Sequence, residues 1–146
     1  MAEDRVLKGI PHRAPFLFVD KILSCDDDKI VVEKEITGKE DFFTGHYPNN
    51  PIMPGVLLCE CVFQAGALWI STKKIQGDSI GEKVPVVSRV NNVKFKRPVL
   101  PEAVLTIEST FVEQVSEAYY MKGKIMIAGK LAMSLEFTCT LIDPPK

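Results

Sequence analysis

Two hydrophobic periods divide this chain of 146 residues. In Val104-Leu105-Thr106-Ile107-Glu108 and Met133-Ser134-Leu135-Glu136-Phe137 apolar and polar residues alternate, which puts every second side chain on one face of a strand. Strands of this kind are expected over Phe18–Cys25, Lys29–Thr37, Val86–Phe95, Ala103–Val115, Ala118–Ile127 and Lys130–Ile142. The acidic run Asp26-Asp27-Asp28 turns the first into the second, and further turns fall at 98–102, at Ser116-Glu117 and around Gly129. Before the first strand, Arg5–Leu17 reads as a docked N-terminal segment with one short helical turn, and its His12 reads as mainly structural.

Between the second and third strands the alternation stops. Gly38–Thr44 leads through a short turn of helix into Gly45–Pro54, where Pro48, Pro51 and Pro54 forbid a regular helix and stiffen an extended loop. Pro54 suits a first helical position, and the sixteen residues Gly55–Ile70 contain no proline, so a helix of about four to five turns is expected there. Apolar residues surround it on every side, as in a buried helix. A membrane span is disfavoured, because the run falls short of roughly 20 residues and carries an acid. Ser71–Val84 reads as a surface connection. Strands followed by one apolar helix and then a meander of strands predict a single α+β domain over residues 1–146, its antiparallel sheet covering the helix with room for an alkyl tunnel.

The chemistry concentrates at this helix. Only Glu60 and Gln64 are strongly polar within it, and a spacing of four brings their side chains together. A carboxylate in apolar surroundings needs a partner or a task. The structural alternative is a core helix whose acid reaches solvent or another chain. His46, on the proline-stiffened loop, adds a candidate general base that the loop can fold back towards Glu60 or project outward. Met53, before Pro54, has no oxygen to cap the first helical turn, so the N–H groups near Gly55 remain available to a carbonyl oxygen that gains negative charge.

Charge and cysteine usage narrow the class. With 18 basic and 19 acidic residues the net charge is −1, so no global field favours nucleic acid or an anionic membrane. The polar opening MAEDRVLKG is not a signal peptide, and a cytoplasmic location is expected. Cys25, Cys59, Cys61 and Cys139 form no CxxC pair, and with two histidines they do not compose a zinc site; neither a metal nor an organic cofactor is expected.

Three blocks, PHRAPFLFVD, then GHYPNNPIMPGVLLCE with Gln64, then VKFKRPVLP, resemble the 3-hydroxyacyl-acyl-carrier-protein dehydratases of the FabZ type. The resemblance implies a hot-dog fold, a curved antiparallel sheet wrapped round a central helix, assembled as a dimer or a trimer of dimers. It implies removal of water from a 3-hydroxyacyl thioester on acyl carrier protein, giving the trans-2-enoyl product of fatty acid elongation. The family's catalytic histidine falls on His46, its helix glutamate on Glu60 and its polarising glycine on Gly55. In that scheme His46 takes the C2 proton, Glu60 protonates the departing C3 hydroxyl, Gln64 orients Glu60, and the Gly55 N–H holds the thioester oxygen. Two active sites per dimer are then expected, each taking His46 from one subunit and Glu60 from the other. Where the family usually has glycine, this chain has Asn49, which can still adopt positive φ. Lys94, Lys96 and Arg97 form a positive cluster that is either a solvated strand edge or a docking point for the acidic carrier. A hot-dog thioesterase and a non-catalytic acyl-binding subunit are the rival readings.

Overall fold

The computed structural model describes residues 2–75 and 81–145. Helix α1 (Asp4–Gly9) precedes the hairpin β1 (Lys21–Cys25) and β2 (Lys29–Ile36). The short α2 (Asp41–Gly45) and the long α3 (Gly55–Ile75) follow, then β3 (Val84–Phe95), β4 (Ala103–Val115), β5 (Ala118–Ile127) and β6 (Lys130–Ile142). All six strands form one antiparallel sheet in the order β1-β2-β4-β5-β6-β3. The hairpin and the closing meander therefore meet as neighbours, and α3 crosses the face they share.

Alternation sets that face. Leu105, Ile107 and Ser109 on β4, Met121, Gly123 and Ile125 on β5, and Met133, Leu135 and Phe137 on β6 are buried, whereas Glu108, Lys122 and Lys124 point outward. Contact with the helix is close. Ser109 Oγ donates to the Val62 carbonyl at 2.8 Å, and a Cβ added to Gly123 would stand 2.0 Å from Val62 Cγ1. Trp69 stacks on Phe111 with ring centroids 4.8 Å apart, and Phe63 meets Phe137 at 5.3 Å.

Several expectations need correction. The helix does not end at Ile70; Ser71–Ile75 continue it, so this part of the expected surface connection is helical, while 76–80 lie outside the described residues. Lys73 sits 4.8 Å from the Trp69 ring centre, its ammonium over the aromatic face, which gives the polar last turn a reason to stay helical. At 21 residues α3 is no longer too short for a membrane, and Gly55–Lys73 is apolar enough to cross one. What sets it apart from a lipid-exposed helix is the sheet packed against it. The first strand begins at Lys21 rather than Phe18, because Phe18 donates its N–H to the Gln64 side chain instead of a ladder partner.

Nor is α3 covered on all sides by its own chain. Val56 is 76% exposed, and Cys59, Glu60, Phe63 and Ala67 are only partly buried. Steps of three and four make these residues one stripe along the helix. The sheet-edge strand β3 also leaves Val86, Val87, Val90, Val93 and Phe95 exposed.

Candidate active site

Glu60 projects from the open stripe near the start of α3. Its Oε2 accepts a hydrogen bond from Gln64 Nε2 at 2.9 Å, one helical turn on. The Gln64 amide cannot be reversed without loss, because its Oε1 accepts the Phe18 N–H at 2.8 Å while Nε2 also donates to the Phe16 carbonyl at 2.9 Å. Gln64 is 1% exposed. A buried amide with every partner in place is a rigid support for the carboxylate beside it.

His46 follows α2. Its Nδ1 lies 2.8 Å from the Ile52 carbonyl oxygen, which can only accept, so Nδ1 carries the proton and Nε2 of the neutral ring keeps its lone pair. The Tyr47 ring meets the imidazole edge-on at 4.7 Å. Tyr47, at φ 50°, takes the left-handed backbone position, and the Asn50 N–H closes the turn onto its carbonyl at 2.9 Å. Asn49, considered for positive φ from its chemistry, does not adopt it. The loop ends on Met53, which is buried and donates its N–H to the Val99 carbonyl at 2.8 Å.

The first turn of α3 is arranged as its uncapped sequence requires. Leu57 and Leu58 direct their N–H groups to the Pro54 carbonyl, at 3.0 and 3.3 Å. Among the described residues no acceptor in the chain receives the N–H of Gly55 or Val56. Gly55 also leaves room for Phe95, since an added Cβ would lie 2.9 Å from the tip of that ring and displace it.

Within one chain the expected residues are not all brought together. Among the described residues His46 has neither a hydrogen bond nor an ion pair with Glu60. The imidazole beside the acid is that of His12, with Nε2 3.7 Å from Glu60 Oε2. The reading of His12 as mainly structural did not anticipate this contact, because the pairing depends on how residues 10–18 fold back over α3.

The positive cluster is also divided. Lys94 points into an open groove of about 650 Å³ on the outer sheet face, shared with Lys29, Lys122, Lys124, Glu108 and Glu136. Lys96 and Arg97 are exposed beyond the strand, where both backbone N–H groups donate to the Ala132 carbonyl. A second, more apolar hollow of about 610 Å³ lies beside the His46 loop, bounded by Tyr47, Asn50, Ile52 and Leu100.

The FabA-like domain model matches residues 10–136, a span holding all these groups. The chain belongs to the FabA-like family. This FabA-like chain is 40% identical over 143 residues to the 3-hydroxyacyl-acyl-carrier-protein dehydratase FabZ of Erythrobacter litoralis, covering 97% of this chain and 93% of that protein. It is 38% identical over 139 residues to the enzyme of the same name from Aromatoleum aromaticum, covering 94% and 95%. The FabZ-type resemblance drawn from the three sequence blocks is thus borne out. Its fold matches one in the dehydratase heterocomplex ApeI:P of Xenorhabdus doucetiae, with a TM-score of 0.79 at 16% identity, covering 97% of this chain and 91% of that one. Streptococcus mutans smu.793, solved with acetyl CoA, matches with a TM-score of 0.66 at 14% identity, covering 92% and 96%. The FabA-like chain has the hot-dog fold.

Proposed function

We propose that this chain dehydrates 3-hydroxyacyl thioesters carried on acyl carrier protein to trans-2-enoyl thioesters in fatty acid biosynthesis. The observation that carries this reading is the pairing of Glu60 with a fully anchored Gln64 on an otherwise apolar helix, in a chain 40% identical to a dehydratase of that name. Residues 1–146 act as one hot-dog dehydratase domain, and the cytoplasm is the location that fits this role.

In the proposed reaction, Nε2 of His46 removes a proton from C2, since Nδ1 is committed to Ile52. Electron density moves towards the thioester oxygen, which the free N–H groups of Gly55 and Val56 and the positive end of α3 stabilise. Glu60 gives a proton to the C3 hydroxyl, which departs as water as the C2–C3 double bond forms. A proton is taken and one is given, so the elimination needs no external acid.

Among the described residues His46 makes neither a hydrogen bond nor an ion pair with Glu60 of its own chain, and this supports a shared site. Two copies joined through β3 and the open stripe of α3 cover the exposed valines and Phe63, and each can present its His46 to the other's Glu60. Carrier docking is assigned to Lys96 and Arg97, with Lys94 at the margin of the surface. Reversing both charges should slow turnover of a carrier-linked substrate far more than that of a short soluble thioester; equal slowing of both would reject the docking assignment.

The deciding experiment incubates purified protein with a trans-2-enoyl thioester. A dehydratase hydrates it reversibly, a thioesterase liberates thiol and an acyl-binding subunit leaves it unchanged. Glu60→Gln and His46→Ala should each reduce hydration by at least about a hundredfold. Wild-type protein that releases thiol without hydrating the double bond would overturn the reading.

A further inference from the structure

Four observations converge on His12. Its Nε2 stands 3.7 Å from Glu60 Oε2, the oxygen that Gln64 also contacts. Among the described residues its Nδ1 is the one buried side-chain nitrogen or oxygen left without a partner. Arg13 clamps the segment from one side, donating to the Leu7, Ile10 and His12 carbonyls at 2.8, 2.9 and 2.6 Å. Gln64 clamps it from the other through Phe16 and Phe18. The histidine is therefore held towards the acid by five hydrogen bonds that do not involve its own ring.

The orphaned nitrogen points to one tautomer. An N–H buried without an acceptor costs about 1–3 kcal/mol, and native proteins tolerate a spare lone pair more readily than an unpaired donor. With Nδ1 as the bare nitrogen, the proton of the neutral ring lies on Nε2, facing Glu60. At 3.7 Å the contact is still open, and catalytic hydrogen bonds commonly tighten only when substrate is bound.

We infer that His12 is a positioning residue for the acid: its Nε2–H closes on Glu60 Oε2 in the working complex and, with Gln64, commits that oxygen so that Oε1 faces the substrate. This rests on the dehydratase reading, in which Glu60 is the proton donor. His12 does not touch the reacting atoms. Its effect passes through the carboxylate, as the support of a functional group by a neighbouring polar side chain does in general.

The test compares His12→Ala, His12→Gln and His12→Asn with wild type in enoyl thioester hydration, alongside thermal melts. The glutamine amide nitrogen can reach the place of Nε2, whereas that of asparagine reaches only the place of Nδ1. His12→Ala and His12→Asn should lower kcat about tenfold with KM little changed, the scale of one hydrogen bond, and His12→Gln should recover most of the loss. In a Glu60→Gln background His12→Ala should cost nothing further. Equal losses in the glutamine and alanine variants, or an undiminished loss in the Glu60→Gln background, would overturn the assignment. Nitrogen-15 NMR of the wild type decides independently of turnover: the Nε2–H tautomer is expected, with a His12 resonance that moves in Glu60→Gln. The Nδ1–H tautomer or an unmoved resonance would refute His12 positioning. Absent hydration by the wild type would instead refute the dehydratase reading.

Discussion

The Phe95 ring fills the space that a side chain at Gly55 would need, with its tip 2.9 Å from the position of an added Cβ. Phe95 is about half exposed at the end of β3, so its ring can swing aside. Gly55→Ala should therefore fold, yet tilt the first turn or displace the ring that walls it. We expect kcat for enoyl hydration to fall about tenfold or more, on the scale of a disturbed oxyanion donor. Adding Phe95→Ala should restore part of the rate by vacating the space. Steady-state kinetics of the single and double variants provide the check.

Gly123 and Val62 are the opposite case, because both are locked in the core. An alanine Cβ at 123 would overlap Val62 Cγ1 at 2.0 Å and approach the Glu108 carbonyl at 3.4 Å. Gly123→Ala should destabilise by about 1–3 kcal/mol, the usual range for overpacking. Val62→Ala alone should destabilise too, but the double variant should be more stable than the sum of the singles implies. Urea unfolding of the four proteins measures the coupling.

Subunit mixing tests the proposed sharing of sites. His46→Ala chains exchanged with Glu60→Gln chains give mixed dimers in half of random pairings. In each of these one site collects both defects and the other none. Roughly one quarter of all sites should then be active, by symmetry. Verified exchange without recovery above the separate variants would show that each site lies within one chain.

Glu40 makes the approach to the His46 loop sensitive to acid. Burial alone would raise its carboxyl, but hydrogen bonds from the Thr37 and Gly38 N–H groups, both 2.9 Å, and from the Thr37 hydroxyl leave it below its ordinary value. A folded-state value below the unfolded one adds stability that is complete above the ordinary value of 4.5 and disappears as pH falls through the folded-state value. Glu40→Gln should accordingly melt a few degrees below wild type at neutral pH, with the gap narrowing under acid conditions. Thermal melts across that range would disprove the linkage if the gap stayed constant.

The thiols should separate by location. Burial pushes the Cys139 thiol up to about 12, with the Glu60 charge adding to it, and raises Cys61 further. Cys25 is exposed. Brief alkylation of the native protein at about pH 8 should label Cys25 first and spare Cys61 and Cys139 until denaturant is added. Mass spectrometry of the modified peptides will show the order.

Much of the fold was legible because local patterns agreed with their surroundings. The acidic run at 26–28 turns the first hairpin, and in 105–108 and 133–137 the apolar residues are buried while the polar residues between them are not. Glu60 and Gln64 were legible as a contact because a helix fixes which side chains are neighbours at a spacing of four. Composition misled at both ends of α3. Its polar tail remains helical where Lys73 lies over Trp69, and its apolar start is exposed at Val56. The His12 contact spans 48 positions and follows from backbone anchoring by Arg13 and Gln64, neither of which has a periodic signature.

The fixed orientation of the Gln64 amide has a stereochemical consequence. Phe18 fixes the amide oxygen, the amide nitrogen fixes Glu60 Oε2, and no protein donor among the described residues reaches Oε1. Under the proposed chemistry, proton delivery through Oε1 would then come from a single direction. A hydroxyl on one face of C3 can meet it, while its mirror image points away from the acid. Under the proposed chemistry, the handedness of the accepted 3-hydroxyacyl group is set by an amide that never touches it.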